Sequence, residues 1–356
     1  MLGQDFDMPQ GDPNQGTLRV LFIDDEARIL RALKALFRDL EVYTTTEPAQ
    51  APALAVQHNV DVVVCDQRMP DKLGVDVLRE IRERHPRAMR VLLTGYSDLK
   101  AVLGSVNEGE VYRFVNKPWV NSDLRALVLE AGEISREAPA VATDQLSPNE
   151  QSVARSQVGV LVIEDDTTVQ QRLREILQPH YQVRFANTAE RAMQVLEQHE
   201  TGVVISETAT NHGADLTLML KALKQYHPHI ATVVITERAN AQTVIELINE
   251  GQVYRMLIKP VRMGSCRLSI DSALGRYWKL KQSPKAVRRY GVTPSAQTLI
   301  AQNKLPNSLL NRIRSLPARL FGADDENLAH APAPQPAGFR RRSVSVSLRR
   351  FPPARP

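Results

Sequence analysis

The chain has 356 residues, 43% hydrophobic and 24% charged, which is ordinary globular material with room for two modest domains. No apolar run nears the ~20 residues that span a bilayer, and the polar, acidic stretch Met1–Gly16 lacks the basic-then-apolar order of a secretory leader, so a cytoplasmic chain is expected. The net charge of +5 hides an asymmetry: from Ser283 onward thirteen basic residues face only Asp324, Asp325 and Glu326, so that segment carries +10 and the body before it −5.

Taken from the start, Leu18 to Ile23 reads as an apolar strand closed by Asp24-Asp25-Glu26. Ile29, Leu30, Leu33, Leu36, Phe37 and Leu40 then recur at helical spacing and give one buried stripe. A short strand at Glu41 to Thr44 and an Ala-rich helix from about Pro48 to His58 precede the run Val62-Val63-Val64-Cys65-Asp66. Such a β-branched run is a strand buried on both faces, which puts Asp66 at the carboxyl end of a parallel strand, where open α/β sheets handle their ligands. Beyond a loop with Gly74, a helix from Val75 to Arg84 stops at His85-Pro86. Arg90 to Leu93 is the next strand, ending at Thr94-Gly95, and Asp98 to Asn107 is a helix. Val111 to Val115 is a strand closed by Lys117-Pro118, and a helix from Asn121 to about Ser135 completes the unit. Strands alternating with helices over this length predict a doubly wound, five-stranded parallel sheet.

The pattern then repeats. Val158 to Ile163 with Glu164-Asp165-Asp166 answers the first strand, Val203 to Glu207 answers the Asp66 strand, and Val233 to Thr236 answers Val91 to Thr94. Asn107-Glu108-Gly109-Glu110-Val111-Tyr112-Arg113 is matched by Asn249-Glu250-Gly251-Gln252-Val253-Tyr254-Arg255, and Lys117-Pro118 by Lys259-Pro260. The offset grows from 140 at the first strand to 141 at Asp66/Glu207 and 142 at the lysines, so two single-residue insertions in loops relate the copies. The expected domains are residues 17–135 and 158–282. Residues 136–157, rich in Ala, Pro, Ser and Gln, join them as a linker with frayed helix at its ends. Cys65 and Cys266 read as reduced thiols in or near the two cores.

In the first copy, Asp24, Asp25, Asp66, Thr94 and Lys117 all fall at strand ends. Transfer of a phosphoryl group to a carboxylate needs a nucleophile, a hard cation and opposing positive charge. Asp66 suits the first role, Asp24 and Asp25 suit an Mg²⁺ ion, Lys117 pairs with the phosphoryl group, and Thr94 donates its hydroxyl. An Asp-Asp pair alone is more often a solvated cap, and a lone strand-end threonine a turn residue; the set carries the reading.

The set resembles the receiver domain of bacterial two-component response regulators, the CheY-like family with flavodoxin-like strand order, over about Thr17 to Ser135. That resemblance implies that Asp66 accepts a phosphoryl group from a histidine kinase or phosphotransfer protein with Mg²⁺. It adds the backbone carbonyl of Arg68 to the metal ligands Asp24, Asp25 and Asp66. It makes Thr94 and Phe114 a switch pair that reshapes the face formed by the Asp98–Asn107 helix, the Val111–Val115 strand and the helix after Asn121. A homodimer through that face and an unidentified downstream protein follow as expected partners. Arg68 and Tyr96 would tune the lifetime of the phosphoryl group. The wording Asp-Gln-Arg-Met-Pro, Leu-Thr-Gly-Tyr and Gly-Glu-Val-Tyr-Arg-Phe-Val-Asn-Lys-Pro-Trp looks like receivers attached to hydrogenase-type regulators and to cyclic-di-GMP phosphodiesterases.

The second copy keeps Glu164, Asp165, Thr236 and Lys259 but carries Glu207 where the first has Asp66, Met256 for Phe114 and Glu237 for Gly95. The extra methylene of Glu207 moves the carboxylate into the space of an incoming phosphoryl group, so a pseudo-receiver used for interaction is expected. In the basic segment, 283–322, Leu305, Leu309, Ile313, Leu316 and Leu320 recur at helical spacing behind Pro306, a short amphipathic helix that docks on its own protein, a partner or a membrane surface. Residues 1–16 and the Pro/Arg-rich 323–356 are expected to be disordered. The expected function is a response regulator that signals through protein contacts and turns over no substrate. A DNA-binding regulator acting through its basic tail and a phosphate sink or shuttle are the alternatives.

Overall fold

The structure, a computed structural model, describes residues 16–95, 111–140, 144–210, 216–237, 241–251, 253–292 and 305–316. The expected helix at Asp98–Asn107, Tyr96, the N-terminal stretch 1–15 and the tail from 317 lie outside those residues.

The first half runs β1 (Arg19–Ile23), α1 (Ala27–Leu36), β2 (Glu41–Thr45), α2 (Ala51–Gln57), β3 (Val62–Asp66), α3 (Gly74–Arg84), β4 (Met89–Thr94), β5 (Arg113–Asn116) and α4 (Asn121–Glu137). Its strands form one five-stranded sheet in the order β2-β1-β3-β4-β5, and every pairing is parallel. All of β3 is buried, because its alternate side chains enter two different cores. Val63 and Cys65 join Leu21, Ile23, Leu92 and Phe114 against α2 and α3, while Val62 and Val64 join Val20, Phe22 and Leu93 against α1 and α4. Each buried valine contributes about 1.5–3 kcal/mol over an exposed one, so the register that places Asp66 at the strand end is held by the whole strand.

The second half begins with α5 (Pro148–Gln157) and continues through β6 (Gly159–Ile163), α6 (Thr167–Leu177), β7 (Gln182–Ala186), α7 (Ala189–Gln198), β8 (Thr201–Ser206), α8 (Thr217–Tyr226), β9 (Ala231–Thr236), α9 (Ala241–Gly251), β10 (Arg255–Ile258) and α10 (Met263–Gln282). Its sheet has the order β7-β6-β8-β9-β10, again all parallel, so the repeat in sequence is a repeat in fold. Cys65 and Cys266 are both buried and free.

The joining segment is more structured than its composition suggests. Ser147 caps α5 by accepting the Glu150 N–H, and the Glu150 side chain answers the Ser147 N–H, a reciprocal box that starts a ten-residue helix with little apolar surface. Ahead of it Asp144 is buried, gripped by Arg276 through two bonds of 2.7 and 2.8 Å and by the Tyr254 hydroxyl at 2.7 Å, with Arg82 of the first half 3.7 Å away. A β-carbon at Gly275 would lie 1.8 Å from the Asp144 carbonyl oxygen, so α10 admits the segment only because that position is glycine.

After α10 a 3-10 turn, Pro284–Tyr290, returns to the first half. Arg289 donates to the carbonyls of Arg87 (2.8 Å) and Ala138 (3.1 Å), Arg288 pairs with Glu137, and Arg113 donates to the Gly291 carbonyl. The last described helix, α11 (Asn307–Arg314), docks on its own protein against α7 and α8. Leu309, Leu310, Ile313 and Leu316 are buried there, Arg312 makes a two-point pair with Glu197, and His227 Nε2 lies 2.7 Å from the Ile313 carbonyl oxygen. Of the three destinations open to this basic segment, its described part takes the first, with Arg288, Arg289 and Arg312 paired to groups of the same chain. Among the described residues no helix is long and apolar enough to cross a membrane.

Candidate functional site

The carboxyl ends of β1, β3 and β4 and the loop after β5 bring Asp24, Asp25, Asp66, Thr94 and Lys117 to one edge of the first sheet. One carboxylate oxygen from each of Asp24, Asp25 and Asp66 lies within 4.8 Å of the others, and this is the one such cluster of potential metal-ligating side chains among the described residues. Lys117 Nζ bridges two of them, 2.6 Å from Asp66 Oδ1 and 3.1 Å from Asp24 Oδ2. Asp24 is 1% exposed, and burial pushes its carboxyl above the ordinary range, partly offset by the Glu26 N–H and by Lys117. Burial pulls the Lys117 ammonium down, yet its bonds and charge contacts with Asp66 and Asp24 outweigh that and hold it above its usual value. Three acids around one point suit a hard divalent cation, and a lysine set against them suits an incoming anion.

Supporting contacts fix the nucleophile candidate. The Arg68 N–H donates to Asp66 Oδ2 (3.2 Å), and the buried Gln67 ties β3 to α3 by accepting the Val75 N–H at 3.2 Å. Thr94 is fully buried at the end of β4, its hydroxyl donating to the Gly95 carbonyl at 3.1 Å, and its own carbonyl accepts the Lys117 N–H at 2.9 Å. Gly74 opens α3 so close to the Asp66 backbone that a β-carbon there would sit 2.0 Å from the Asp66 oxygen. Next to the acids, the Cys65 thiol is driven well above its ordinary pKa by burial and then by the charges of Asp66 and Asp24, which leaves it unreactive. Phe114 lies apart from the acids, buried on β5 where the second half abuts.

In the second half the corresponding edge holds Glu164, Asp165, Glu207, Thr236 and Lys259, but the chemistry differs. Lys259 Nζ bridges Glu164 (2.9 Å) and Glu207 (3.0 Å), and its ammonium is lowered by burial and raised more by those two bonds. The other oxygen of Glu207 accepts both the N–H and the hydroxyl of Thr208, at 2.9 and 3.1 Å. Lys259 thus lies between two glutamates, and no three-acid cluster forms at this edge among the described residues.

Two parallel sheets of this order, one with a three-acid strand-end site and one with a lysine between two glutamates at the same edge, define a pair of receiver-like signalling domains. The model of the response regulator receiver domain matches residues 20–129 and again 160–271, and the chain belongs to that family. The hydrogenase transcriptional regulatory protein HoxA of Cupriavidus necator is 40% identical over 115 residues, 32% of this chain and 24% of that protein. HoxA of Bradyrhizobium diazoefficiens is 36% identical over 123 residues, 34% of this chain and 25% of its own length. Among solved structures, the signal receiver domain of an HD domain-containing protein from Pseudomonas fluorescens Pf-5 is 31% identical over 34% of this chain and 90% of its own, with a TM-score of 0.32. The chain spans about a quarter of the length of these HoxA relatives.

Proposed function

We propose that the chain is a phosphorelay response regulator whose first half takes a phosphoryl group on Asp66 and whose second half cannot. In the transfer, an Asp66 carboxylate oxygen forms a bond to phosphorus as the bond from phosphorus to the donor breaks, and the donor leaves with its electron pair. Mg²⁺ held by Asp24, Asp25, Asp66 and the Arg68 carbonyl would draw charge from the phosphoryl oxygens. Lys117 moves from its bridge between Asp24 and Asp66 to the new phosphoryl oxygens, and the Thr94 hydroxyl exchanges the Gly95 carbonyl for one of them. The donor is a histidine kinase or phosphotransfer protein, the compartment is the cytoplasm, and the output is a changed protein contact with no substrate turned over.

The observation that carries this reading is the contrast between the two sites. Three acids and a lysine meet at Asp66, whereas at Glu207 the lysine lies between two glutamates and no three-acid cluster forms among the described residues. The match to the receiver-domain model over residues 20–129 and 160–271 supports reception of a phosphoryl signal, and the quarter shared with the HoxA proteins supports no particular output. The test is intact-mass analysis of the full chain incubated with acetyl phosphate and Mg²⁺. One phosphoryl group on the wild type and none on Asp66→Asn is the expected result; a phosphoryl group retained by Asp66→Asn in residues 158–282 would refute it.

A further inference from the structure

Among the described residues strand β5 pairs with β4 alone, so its outer edge turns N–H and C=O groups away from the sheet. That edge is met by α9 of the second half through Asn249. The Phe114 N–H donates to Asn249 Oδ1 at 2.8 Å, and Asn249 Nδ2 donates to the Phe114 carbonyl at 2.9 Å. A carboxamide offers one acceptor and one donor in a plane, as a peptide group does, so Asn249 adds one residue's worth of sheet to the edge. Around this point the apolar cores of the halves merge into one cluster: Val111 and Phe114 belong with Val244, Ile245, Ile248 and Val253. A cavity of about 40 Å³ remains, walled by Phe114, Ile248, Val253, Lys224 and Tyr254 among others.

The same strand leads to the acidic site. Leu92 pairs with Phe114 and Thr94 with Asn116, so in these parallel strands the Thr94 and Phe114 side chains share a face. A Phe114 ring drawn toward Thr94 would abandon the seam and add its own volume to the existing cavity, which costs packing at the contact with α9. We propose that Asn249 and the apolar surface around it latch the second half onto the β5 edge, and that occupancy of the Asp66 site releases this latch. The second half is then the first receiver's own partner. This rests on the reading of Asp66 as phosphoryl acceptor. Because coupling is reciprocal, weakening the latch tightens binding at the Asp66 site.

The test uses the full chain, beryllofluoride with Mg²⁺ as the phosphoryl mimic, fluorine NMR to read occupancy, and hydrogen–deuterium exchange to read the seam. Exchange at Arg113–Asn116 and Ala241–Gly251 is expected to rise when the wild type binds the mimic. Asn249→Asp still accepts the Phe114 N–H but sets a carboxylate against the Phe114 carbonyl. That variant is expected to show raised exchange before the mimic is added and to bind it about 5-fold more tightly or better. Wild-type protein that binds the mimic with unchanged exchange at these segments overturns the latch, and this arm needs no variant to fold. Equal affinity in wild type and a folded Asn249→Asp overturns the coupling. Failure of the wild type to bind the mimic at all overturns the Asp66 reading instead.

Discussion

One methylene separates Asp66 from Glu207, and each carboxylate meets a lysine at the end of the equivalent strand. The shorter acid sits in a cluster of three carboxylates, and the longer one reaches a lysine and a threonine with no such cluster around it among the described residues. The residue that sets the geometry at Asp66 from behind is Gly74, where a side chain would press on the Asp66 carbonyl. Gly74→Ala is expected to destabilise the first half by about 1–3 kcal/mol, read by urea unfolding, and to cut phosphoryl incorporation from acetyl phosphate in protein that still folds. The places of Asp24, Asp25, Asp66, Thr94 and Lys117 were legible in sequence because each follows a short apolar strand run and inherits its position from a local rule. Asn249 was not. It stood in plain view within the repeated Asn-Glu-Gly motif, but its work depends on which edge the helix meets, and that is decided only when the two halves pack.

Among the elements, α8 carries an unusual load: Lys224 is buried and donates to the Ile230 carbonyl at 3.2 Å, facing the seam cavity. Burial alone lowers its ammonium from 10.5 to about 7. Between those two pH values the unfolded chain holds a proton that the folded chain lacks, so this group makes stability rise with pH from about 7 upward, by at most about 1.4 kcal/mol per unit. Arg90, lowered to about 9 by burial, adds to the rise beyond that pH. Urea melts from pH 7 to 9 are therefore expected to show a positive slope in the wild type and a flatter one in Lys224→Met. Helix α5 shows the opposite kind of legibility: Ser147-Pro148-Asn149-Glu150 is a local start signal, but α5 buries little beyond Ala154, so no apolar period marks the helix it begins.

At the scale of the molecule, the described residues join the halves through the segment with Asp144, through α9 on β5, and through the turn Pro284–Tyr290. Asp144 is the buried anion among Arg82, Arg276 and Tyr254. Asp144→Ala leaves the buried Arg276 without its counter-charge, a change expected to cost about 3–5 kcal/mol and to appear in calorimetry as earlier melting with the halves less coupled. In this structure the second copy of the fold meets the outer edge of β5 within one chain.

That single connectivity changes how the contact responds to abundance. Two separate receivers meet according to their copy number, and dilution parts them. Halves tethered by a short segment see each other at a local concentration of about millimolar whatever the level of expression. The threshold at which the seam opens is therefore a property of the molecule, fixed at folding, and a cell with ten copies reads the same signal as a cell with ten thousand.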